Sequence, residues 1–268
     1  MECRVEPYRM NARTGYQSIA METSEDAVLG GRLVLRQPLR GHRFGHDAIL
    51  LAAAVSAPAG GRAVELGSGV GAAGLALAQR VAGLAVTLVD VDPALTELAL
   101  GNAERNGLAA FVRVVCLDVA APAAAFAAAG LAAEAADCVL MNPPFNAADN
   151  PSPEPDRRRA HTTPGNAIRQ WVRTAARLLR PAGTLTLIWR ADGLAEVLGA
   201  LVPDFGAVAL LPVHGKPGAP AIRIIARAIK GSRAPLTLSP GLLLADAKGR
   251  PTEAAEAVLR HGATLPLC

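Results

Sequence analysis

The chain has few aromatic residues, and this scarcity limits the kind of core that it can build. Only 3% of its 268 residues are Phe, Trp or Tyr, whereas 51% are hydrophobic. Alanine, leucine and valine must therefore fill the interior, and a chain of this length can bury a sizeable core in one large domain or two small ones. Each aromatic ring becomes a candidate for a special role.

Cysteine and histidine are also sparse, and their placement gives no sign of a metal site. The four cysteines form no C-x-x-C pair, and Cys116 and Cys138 lie inside apolar runs that suit buried free thiols. The five histidines form no His-Glu pair. We therefore expect neither a disulfide nor a bound metal ion.

Long apolar runs and a strong net charge are absent too. No continuous apolar run reaches the roughly 18 residues that a membrane-spanning helix requires, and the first ten residues lack the apolar core of a secretory signal. The net charge of +4 permits a polyanionic partner without demanding one. We expect a cytoplasmic globular protein with no membrane partner.

The first part of the chain differs from the rest in pattern. Residues 1–30 are polar and aperiodic, which is typical of a flexible N-terminal arm. Residues 32–39 can form a short strand, and Asp47 precedes the apolar run 48–55 as the expected N-cap of a helix. A single domain over residues 31–268 is the simplest interpretation.

Beyond residue 60, apolar strand-like runs alternate with helical ones. Strands are predicted at residues 62–66, 84–90, 112–118, 137–142 and 183–190. This alternation requires a parallel sheet with helices on both faces. Two further runs, 207–213 and 221–229, are predicted to pair as an antiparallel hairpin at the sheet edge. The predicted fold class is α/β, a Rossmann-like doubly wound sheet that is mostly parallel.

A glycine-rich segment, VELGSGVGAAGL, follows the first of these strands. Residues 69–74 fit G-x-G-x-x-G, a pattern that serves dinucleotides, nucleosides and other adenosine compounds alike. A tight turn without a ligand is the alternative, although glycine at this density destabilises a chain unless the conformational freedom is used. Gly67, Ser68, Gly69 and Gly71 are candidate ligand contacts.

Acidic residues around this segment narrow the choice of ligand. Glu65 precedes the glycines, where it would repel a pyrophosphate but suit a cationic amino-acid group, which favours a sulfonium nucleoside over a nicotinamide cofactor. Asp90 closes the second strand, from which a carboxylate can accept hydrogen bonds from both ribose hydroxyls. Asp92 is the expected cap of the next helix. Asp118 could accept from an adenine amine or be a solvated strand-end residue.

The fourth strand ends in Asn142, Pro143, Pro144 and Phe145, and this ending suits a particular reaction. The side-chain oxygen of Asn142 and a backbone carbonyl at its turn with Pro143 could accept the two hydrogens of an exocyclic amine. Such a grip would localise the nitrogen lone pair for in-line attack on a methyl group. Phe145 could stack on a flipped-out base, or the segment could be a plain turn with Phe145 in the core.

Taken together, the motifs ELGSGVG, VDVDP and NPPF and the acid at Asp118 resemble those of class I S-adenosylmethionine-dependent methyltransferases that modify amino groups. Residues 37–55, the NPPF motif and the loop PDRRRAHTT are similar to the bacterial family that methylates N6 of the adenine beside the anticodon of a valine tRNA. The resemblance implies S-adenosylmethionine as cofactor and tRNA as substrate. It also implies that the RFGHD segment folds over the cofactor.

The resemblance completes the set of candidate residues and divides the domain. The lead-in is 31–58, the catalytic core 59–230 and the C-terminal extension 231–268. The candidates for catalysis are Asn142, Pro143 and Phe145; those for cofactor binding are Phe44, Asp47, Glu65, Gly67, Ser68, Gly69, Gly71, Asp90, Val91, Asp118 and Asn142; those for tRNA are Arg157, Arg158 and Arg159.

Three alternatives to tRNA adenine methylation stay open. Phe145 replaces the tyrosine that many adenine-specific members carry, and the NPPF form also occurs among ribosomal guanine-N2 methyltransferases. Protein glutamine-N5 methyltransferases use the same chemistry on an amide. A non-catalytic RNA-binding protein with a vestigial cofactor pocket would keep the fold without the reaction.

Overall fold

The computed structural model describes residues 22–41, 43–144 and 166–267. The strands are β1 (Thr23–Val28), β2 (Leu33–Pro38), β3 (Arg62–Leu66), β4 (Ala85–Asp90), β5 (Val112–Cys116), β6 (Ala136–Met141), β7 (Leu179–Arg190), β8 (Phe205–His214), β9 (Ala221–Lys230), β10 (Thr237–Leu238) and β11 (Leu242–Leu243). The helices are α1 (His46–Ala54), α2 (Ala72–Arg80), α3 (Pro93–Arg105), α4 (Ala123–Ala128), α5 (Asn166–Leu178), α6 (Leu194–Leu201) and α7 (Glu253–Leu259).

A nine-stranded sheet organises the described chain. Its strands lie in the order β10-β8-β9-β7-β6-β3-β4-β5, and β11 also pairs with β8. The five strands from β3 to β7 are parallel to their neighbours within that group, whereas β9 is antiparallel to both β7 and β8. The predicted α/β class and the antiparallel hairpin are confirmed. The two-residue strands β10 and β11, which were not predicted, continue the sheet beyond β8.

The strand order reverses between β3 and β6. From β3 the chain adds β4 and β5 on one side, then returns to place β6 and β7 on the other. In open α/β sheets the crevice at such a reversal, outside the carboxyl ends of the strands, is where ligands bind. The segments that follow β3 and β6 are the glycine loop and Asn142.

Helices cover both faces of the sheet and bury two apolar clusters. On one face α1, α2 and α3 pack through alanine and leucine side chains such as Leu50, Leu75 and Ala99. On the other face α4, α5 and α6 contribute residues such as Phe126 and Val172. Small alanine side chains allow close approach of helix and sheet, so a core with few aromatic rings can still be densely packed.

The C-terminal segment is part of the first of these clusters. Val258, Leu265 and Leu267 are buried in the cluster that contains α1, and the Leu265 N–H donates to the Ala53 carbonyl at 2.9 Å. This continuity supports a single domain. The division into lead-in, core and extension stays a prediction.

The predicted N-terminal arm is wrong for residues 23–28, which form β1 and pair in register with β2. This strand lacks the apolar pattern that predicts a strand, because much of it faces solvent and carries polar side chains. Glu25 and Asp26 hold it through ion pairs with Arg36 at 2.9 Å and Arg43 at 3.0 Å. Residues 1–21 lie outside the described part of the chain.

Two asparagines, Asn102 on α3 and Asn106 directly after it, form hydrogen bonds with the backbone of β2. Asn102 Oδ1 accepts from the Arg36 N–H at 2.7 Å, and Asn106 Oδ1 accepts from the Val34 N–H at 2.9 Å. Their amide nitrogens donate back to the carbonyls of Arg36 and Val34. Asn102 also donates to the Val70 carbonyl at 3.0 Å. The β1–β2 hairpin is therefore fixed to the glycine loop through one buried amide.

The two described cysteines differ in environment. Cys138 is buried in β6, as predicted, and burial raises the pKa of its thiol to about 12. The prediction of burial is wrong for Cys116, which is exposed because β5 is the outermost strand on its side of the sheet. No helix in residues 22–41, 43–144 and 166–267 is long and apolar enough to span a bilayer.

Candidate active site

A cleft of about 1070 Å³ lies at the carboxyl ends of β3, β4, β5 and β6. This volume is at the upper end of the range for small-molecule sites, roughly 300 to 1000 Å³. Residues from the lead-in before α1, from the glycine loop, and from the start of α5 form its walls. All but one of the predicted cofactor residues line it; Gly71 does not, but adjoins lining residues on both sides.

The backbone of the glycine loop makes its hydrogen bonds within the protein. The Ser68 N–H donates to the Val89 carbonyl at 3.0 Å, the Gly69 N–H to Asp90 Oδ2 at 2.7 Å, and the Gly71 N–H to the Ser68 carbonyl at 2.8 Å. A pyrophosphate would need such N–H groups for its own oxygens. Because these three are already used, the loop is poorly suited to a dinucleotide phosphate.

Gly67 is required at its position for two reasons. Its φ is +66°, a conformation that L-residues with a side chain rarely adopt, and a Cβ there would overlap the ring of Trp171. Trp171 is half-buried, lies on α5, and lines the cleft. Sequence reasoning missed Trp171, although a tryptophan in a chain with only two of them was a signal that could have found it.

Glu65 is buried beneath the loop. Its Oε2 accepts from the Gly74 N–H at 2.7 Å, and a Cβ on Gly74 would overlap both Leu88 and this oxygen. The third glycine of the motif therefore serves helix–strand packing. Burial raises the pKa of Glu65 to about 8, because the charged form loses its hydration, and nearby Asp90 adds to the effect while the Gly74 N–H opposes it.

Asp90 is nearly buried at the end of β4 and organises the loop on both sides. Its Oδ2 accepts from the Gly69 N–H at 2.7 Å and its Oδ1 from the Asp92 N–H at 3.0 Å. A carboxylate has about four acceptor positions, so it retains capacity for two hydroxyl groups in the cleft. Asp92 caps α3 by accepting from the Ala94 N–H at 2.9 Å, as predicted. The adjacent Val91 presents an exposed apolar surface to the cleft.

Asp118 is exposed at the cleft and makes a local turn. Its Oδ1 accepts from the Ala120 N–H at 2.8 Å, and the Val119 carbonyl accepts from Thr174 Oγ1 at 2.9 Å. The second bond ties this turn to α5. The geometry agrees with both readings of Asp118, as a ligand acceptor and as a strand-end turn residue.

The lead-in lies against the cleft, but Asp47 is not a helix cap. Gly45 occupies the N-cap position of α1 without a side-chain hydrogen bond. Asp47 Oδ2 instead accepts from Arg223 Nε of β9 at 2.7 Å. Phe44, which also lines the cleft, is fixed by its N–H to Gln37 Oε1 at 3.1 Å. The cap prediction failed because the partner of Asp47 is 176 residues away in sequence.

Asn142 follows β6 at the floor of the cleft, beside Pro143 and Pro144. Its Oδ1 is buried and has no hydrogen-bond partner among the described residues, and the same holds for Ser68 Oγ. A buried acceptor without a partner is costly, which makes it a candidate for binding a ligand. Phe145 and the predicted RNA contacts Arg157, Arg158 and Arg159 lie outside the described residues.

Residues suited to holding a metal ion do not converge in the described part of the chain. No group of three or more His, Cys, Asp or Glu side chains there is close enough to bind one. Four carboxyl groups of described residues line the cleft, those of Asp47, Glu65, Asp90 and Asp118. Those of Asp47, Glu65 and Asp90 are engaged by Arg223, Gly74 and Gly69 respectively.

Comparison with known families gives one family match. The model of the methyltransferase small domain matches residues 43–214, which include the lead-in, the glycine loop, Asp90 and Asn142. The chain is also 32% identical to a predicted O-methyltransferase from Agrobacterium tumefaciens whose crystal structure is known. That alignment covers 82% of this chain and 98% of the other, with a TM-score of 0.69.

Curated relatives divide between two kinds of acceptor. Over 138 residues the chain is 33% identical to a release factor glutamine methyltransferase from Gloeobacter violaceus, covering 48% of this chain and 46% of the relative. Over 159 residues it is 26% identical to a tRNA1(Val) (adenine(37)-N6)-methyltransferase from Porphyromonas gingivalis, covering 58% and 61%. The chain therefore spans about half to three fifths of the length of these relatives.

Proposed function

The chain belongs to the methyltransferase small domain family, a family of S-adenosylmethionine-dependent enzymes, and we propose that it methylates the exocyclic N6 amine of an adenine in tRNA. The proposed nucleotide is the adenine next to the anticodon of a valine tRNA, and with this substrate we expect the enzyme to act in the cytoplasm. The observation that carries the proposal is the buried, unpartnered Oδ1 of Asn142 at the floor of the cleft.

The residues of the cleft fit S-adenosylmethionine. This cofactor supplies an activated methyl group on a positively charged sulfonium. Asp90 would accept from the ribose hydroxyls, Val91 would pack against the adenine, and Asp118 would accept from its amine. The loop from Gly67 to Gly71 and the carboxyl of Glu65 would receive the amino-acid part. The loop N–H groups already used within the protein support this ligand over a nucleotide diphosphate.

An amine acceptor suits Asn142 better than a hydroxyl. An aromatic amine has two hydrogens and a delocalised lone pair, so two oxygens that accept both hydrogens align the lone pair for attack. The amine loses its extra proton after transfer and needs no strong base. A hydroxyl would need a base for its single proton. The described residues that line the cleft include no histidine or lysine, and three of their four carboxyl groups are already engaged within the protein.

One observation favours a base over a protein side chain as the acceptor. Trp171 at the cleft and Phe145 in the NPPF motif are aromatic, and stacking on an aromatic ring contributes about 1 to 3 kcal/mol per base. Stacking does not distinguish adenine from guanine, so ribosomal guanine-N2 is an alternative acceptor.

Glutamine-N5 methylation of a release factor is the second candidate. It is favoured by the relative at 33% identity, which is higher than the 26% of the tRNA-modifying relative. An amide nitrogen also has two hydrogens and a delocalised lone pair. The two acceptors at Asn142 would therefore hold it in the same way.

A transfer assay distinguishes these acceptors. The purified protein would be incubated with methyl-labelled cofactor and, separately, total tRNA, ribosomes and release factors, and the products analysed by mass spectrometry. We expect label in N6-methyladenosine from tRNA. Label in N2-methylguanosine of ribosomes or in N5-methylglutamine of a release factor would replace the proposed acceptor. Cofactor binding without transfer to any of them would identify a non-catalytic binding protein.

A further inference from the structure

Four arginines lie between residues 166 and 181, in a segment without an acidic residue. Two of them have structural partners. The guanidinium of Arg177 stacks over the ring of Phe126, 4.7 Å from its centre, and Arg180 forms an ion pair with Asp137 at 2.6 Å. The other two, Arg169 and Arg173, are exposed, line the cleft, and form no ion pair with a described residue.

We propose that Arg169 and Arg173, here called the α5 arginine pair, bind backbone phosphates of an RNA strand beside the nucleotide that enters the cleft. This inference rests on the proposed function, because it assumes that the acceptor is part of a nucleic acid. It adds a surface that is separate from Arg157, Arg158 and Arg159, the arginines singled out in the sequence.

Helical geometry places the two arginines together. Ile168 and Val172 on α5 are buried in the apolar cluster under the helix. Arg169 and Arg173 each follow one of these residues, about 100° further around the helix, and are exposed. Residues four apart are neighbours on a helix surface, with Cβ atoms about 5 to 6 Å apart. Trp171 projects from the other flank of α5, toward Gly67, whereas the Arg169 guanidinium lies near Gly199 of α6. Both arginines line the same cleft as Asn142, so the pair is placed to contact the strand that carries an entering base.

The charges at the cleft come from different elements. Asp90 and Asp118 lie at the ends of β4 and β5, whereas Glu65, whose pKa is raised to about 8, is mostly uncharged at neutral pH. The α5 arginine pair lies on the helix whose Thr174 donates to the Val119 carbonyl beside Asp118. The two other described arginines at the cleft already form ion pairs, Arg43 with Asp26 and Arg223 with Asp47.

Two exposed arginines without ion-pair partners among the described residues favour a phosphate backbone over a protein acceptor. A glutamine side chain carries no charge, so its binding in the cleft does not require two unpaired cations. Arginine binds phosphate through its planar donors, and neutralised phosphates dominate the affinity of RNA-binding proteins. The alternative role for the pair is to bind the carboxylate of the cofactor. The same experiments test this role, because it predicts a change in cofactor affinity.

The test replaces both arginines by glutamine, R169Q with R173Q, which removes charge but keeps hydrogen-bonding groups. Binding of tRNA would be measured against salt concentration, together with the KM for tRNA and the Kd for S-adenosylmethionine. We expect the slope of log K against log salt to decrease in magnitude by about 1.4, the value for two phosphate contacts to a single strand. We also expect KM for tRNA to rise at least about tenfold.

Arg233→Gln is the matched control. Arg233 is an exposed arginine just after β9. Because β9 runs antiparallel to β7, the end of β9 lies at the amino ends of the parallel strands, opposite the cleft. Its loss should leave the salt slope and KM unchanged. Thermal unfolding of all variants should match the wild type, since the replaced side chains are exposed.

Three results would overturn the inference. Unchanged tRNA affinity and salt slope in the double variant would remove the RNA contact, and a loss of cofactor affinity of the same size would assign the pair to the cofactor. A salt-dependent loss of release-factor methylation, with RNA binding unchanged, would assign it to an acidic protein surface. Direct RNA binding is measured without turnover, so failure of the proposed reaction is seen separately.

Discussion

The two halves of the cleft differ in how completely their polar groups are satisfied. On the β3–β4–β5 side, Glu65 and Asp90 are hydrogen-bonded to backbone N–H groups of the glycine-rich segment, and Ser68 Oγ is the buried side-chain atom there without a partner among the described residues. At Asn142 and α5, Asn142 Oδ1 has no hydrogen-bond partner and the α5 arginine pair has no ion-pair partner among the described residues. The first half is thus largely preorganised, whereas the second has groups that the proposed substrate would engage.

This difference explains why the two halves should respond differently to substitution. A group bonded to the protein supports the fold as well as the ligand, so its removal changes binding and stability together. A group without a partner in the protein contributes little to the stability of the fold, so its removal should mainly change the reaction rate. The predictions below separate the two cases.

The largest effect is expected for Asn142→Ala. Removing the unpartnered acceptor should lower kcat by about a thousandfold, the upper value for one hydrogen-bonding group in a transition state. The Kd for S-adenosylmethionine should stay close to wild type and the free energy of unfolding should not decrease, because Oδ1 has no described partner to lose. Steady-state kinetics and calorimetric titration would measure this; parallel losses of turnover and cofactor binding would contradict the proposed role.

A pH dependence of stability is expected from Glu65. Its pKa is about 8 in the folded protein against 4.5 ordinarily, so between these values the unfolded chain binds fewer protons and the free energy of unfolding decreases as pH rises. Above about pH 8 both states are ionised and the decrease ends. The total is a few kcal/mol.

Glu65→Gln isolates this effect, because glutamine keeps an oxygen for the Gly74 N–H. Denaturant unfolding of both proteins from pH 5 to roughly pH 8.5 would give the difference in stability, wild type minus variant. We expect this difference to decrease as pH rises through that range. Curves that remain parallel would show that Glu65 does not hold its proton in the folded state.

Asp90→Ala should weaken S-adenosylmethionine binding by about a hundredfold, from the loss of charge-assisted hydrogen bonds and of the Gly69 anchor. At saturating cofactor, kcat should be largely retained. Asp92→Ala is the control two residues away: it removes the cap of α3 and should lower the free energy of unfolding by about 1 kcal/mol without changing the Kd. A larger loss of kcat than of cofactor affinity in Asp90→Ala would contradict the separation of a cofactor-binding half from a catalytic half.

The smallest effect is expected where the halves meet, at Gly67 and Trp171. Gly67→Ala should lower the free energy of unfolding by about 2 kcal/mol, through its positive φ and its overlap with the Trp171 ring. Trp171→Ala in the same chain should relieve the overlap but not the φ strain. A double-mutant cycle by denaturant unfolding measures the coupling, and additive effects would mean that the ring does not rest on this glycine.

Local patterns were sufficient for much of the fold and part of the site. The alternation of apolar runs predicted the parallel strands, and the cap at Asp92 followed from an acid before a proline. Strand β1 was missed because a strand that faces solvent has a weak apolar pattern. Trp171 was missed because its approach to Gly67 joins residues about a hundred positions apart, and no local pattern reports such a contact.

The sequence by itself determined the family and the alternation of the parallel strands with helices, since periodicity, turn residues and short motifs are local properties of the chain. Only the tertiary structure decided which groups remain unsatisfied. It paired Asp47 with Arg223, closed the loop onto Asp90, and left Asn142 Oδ1 without a described partner. Hydrogen-bond partners distant in sequence are fixed by packing, and packing depends on all elements at once.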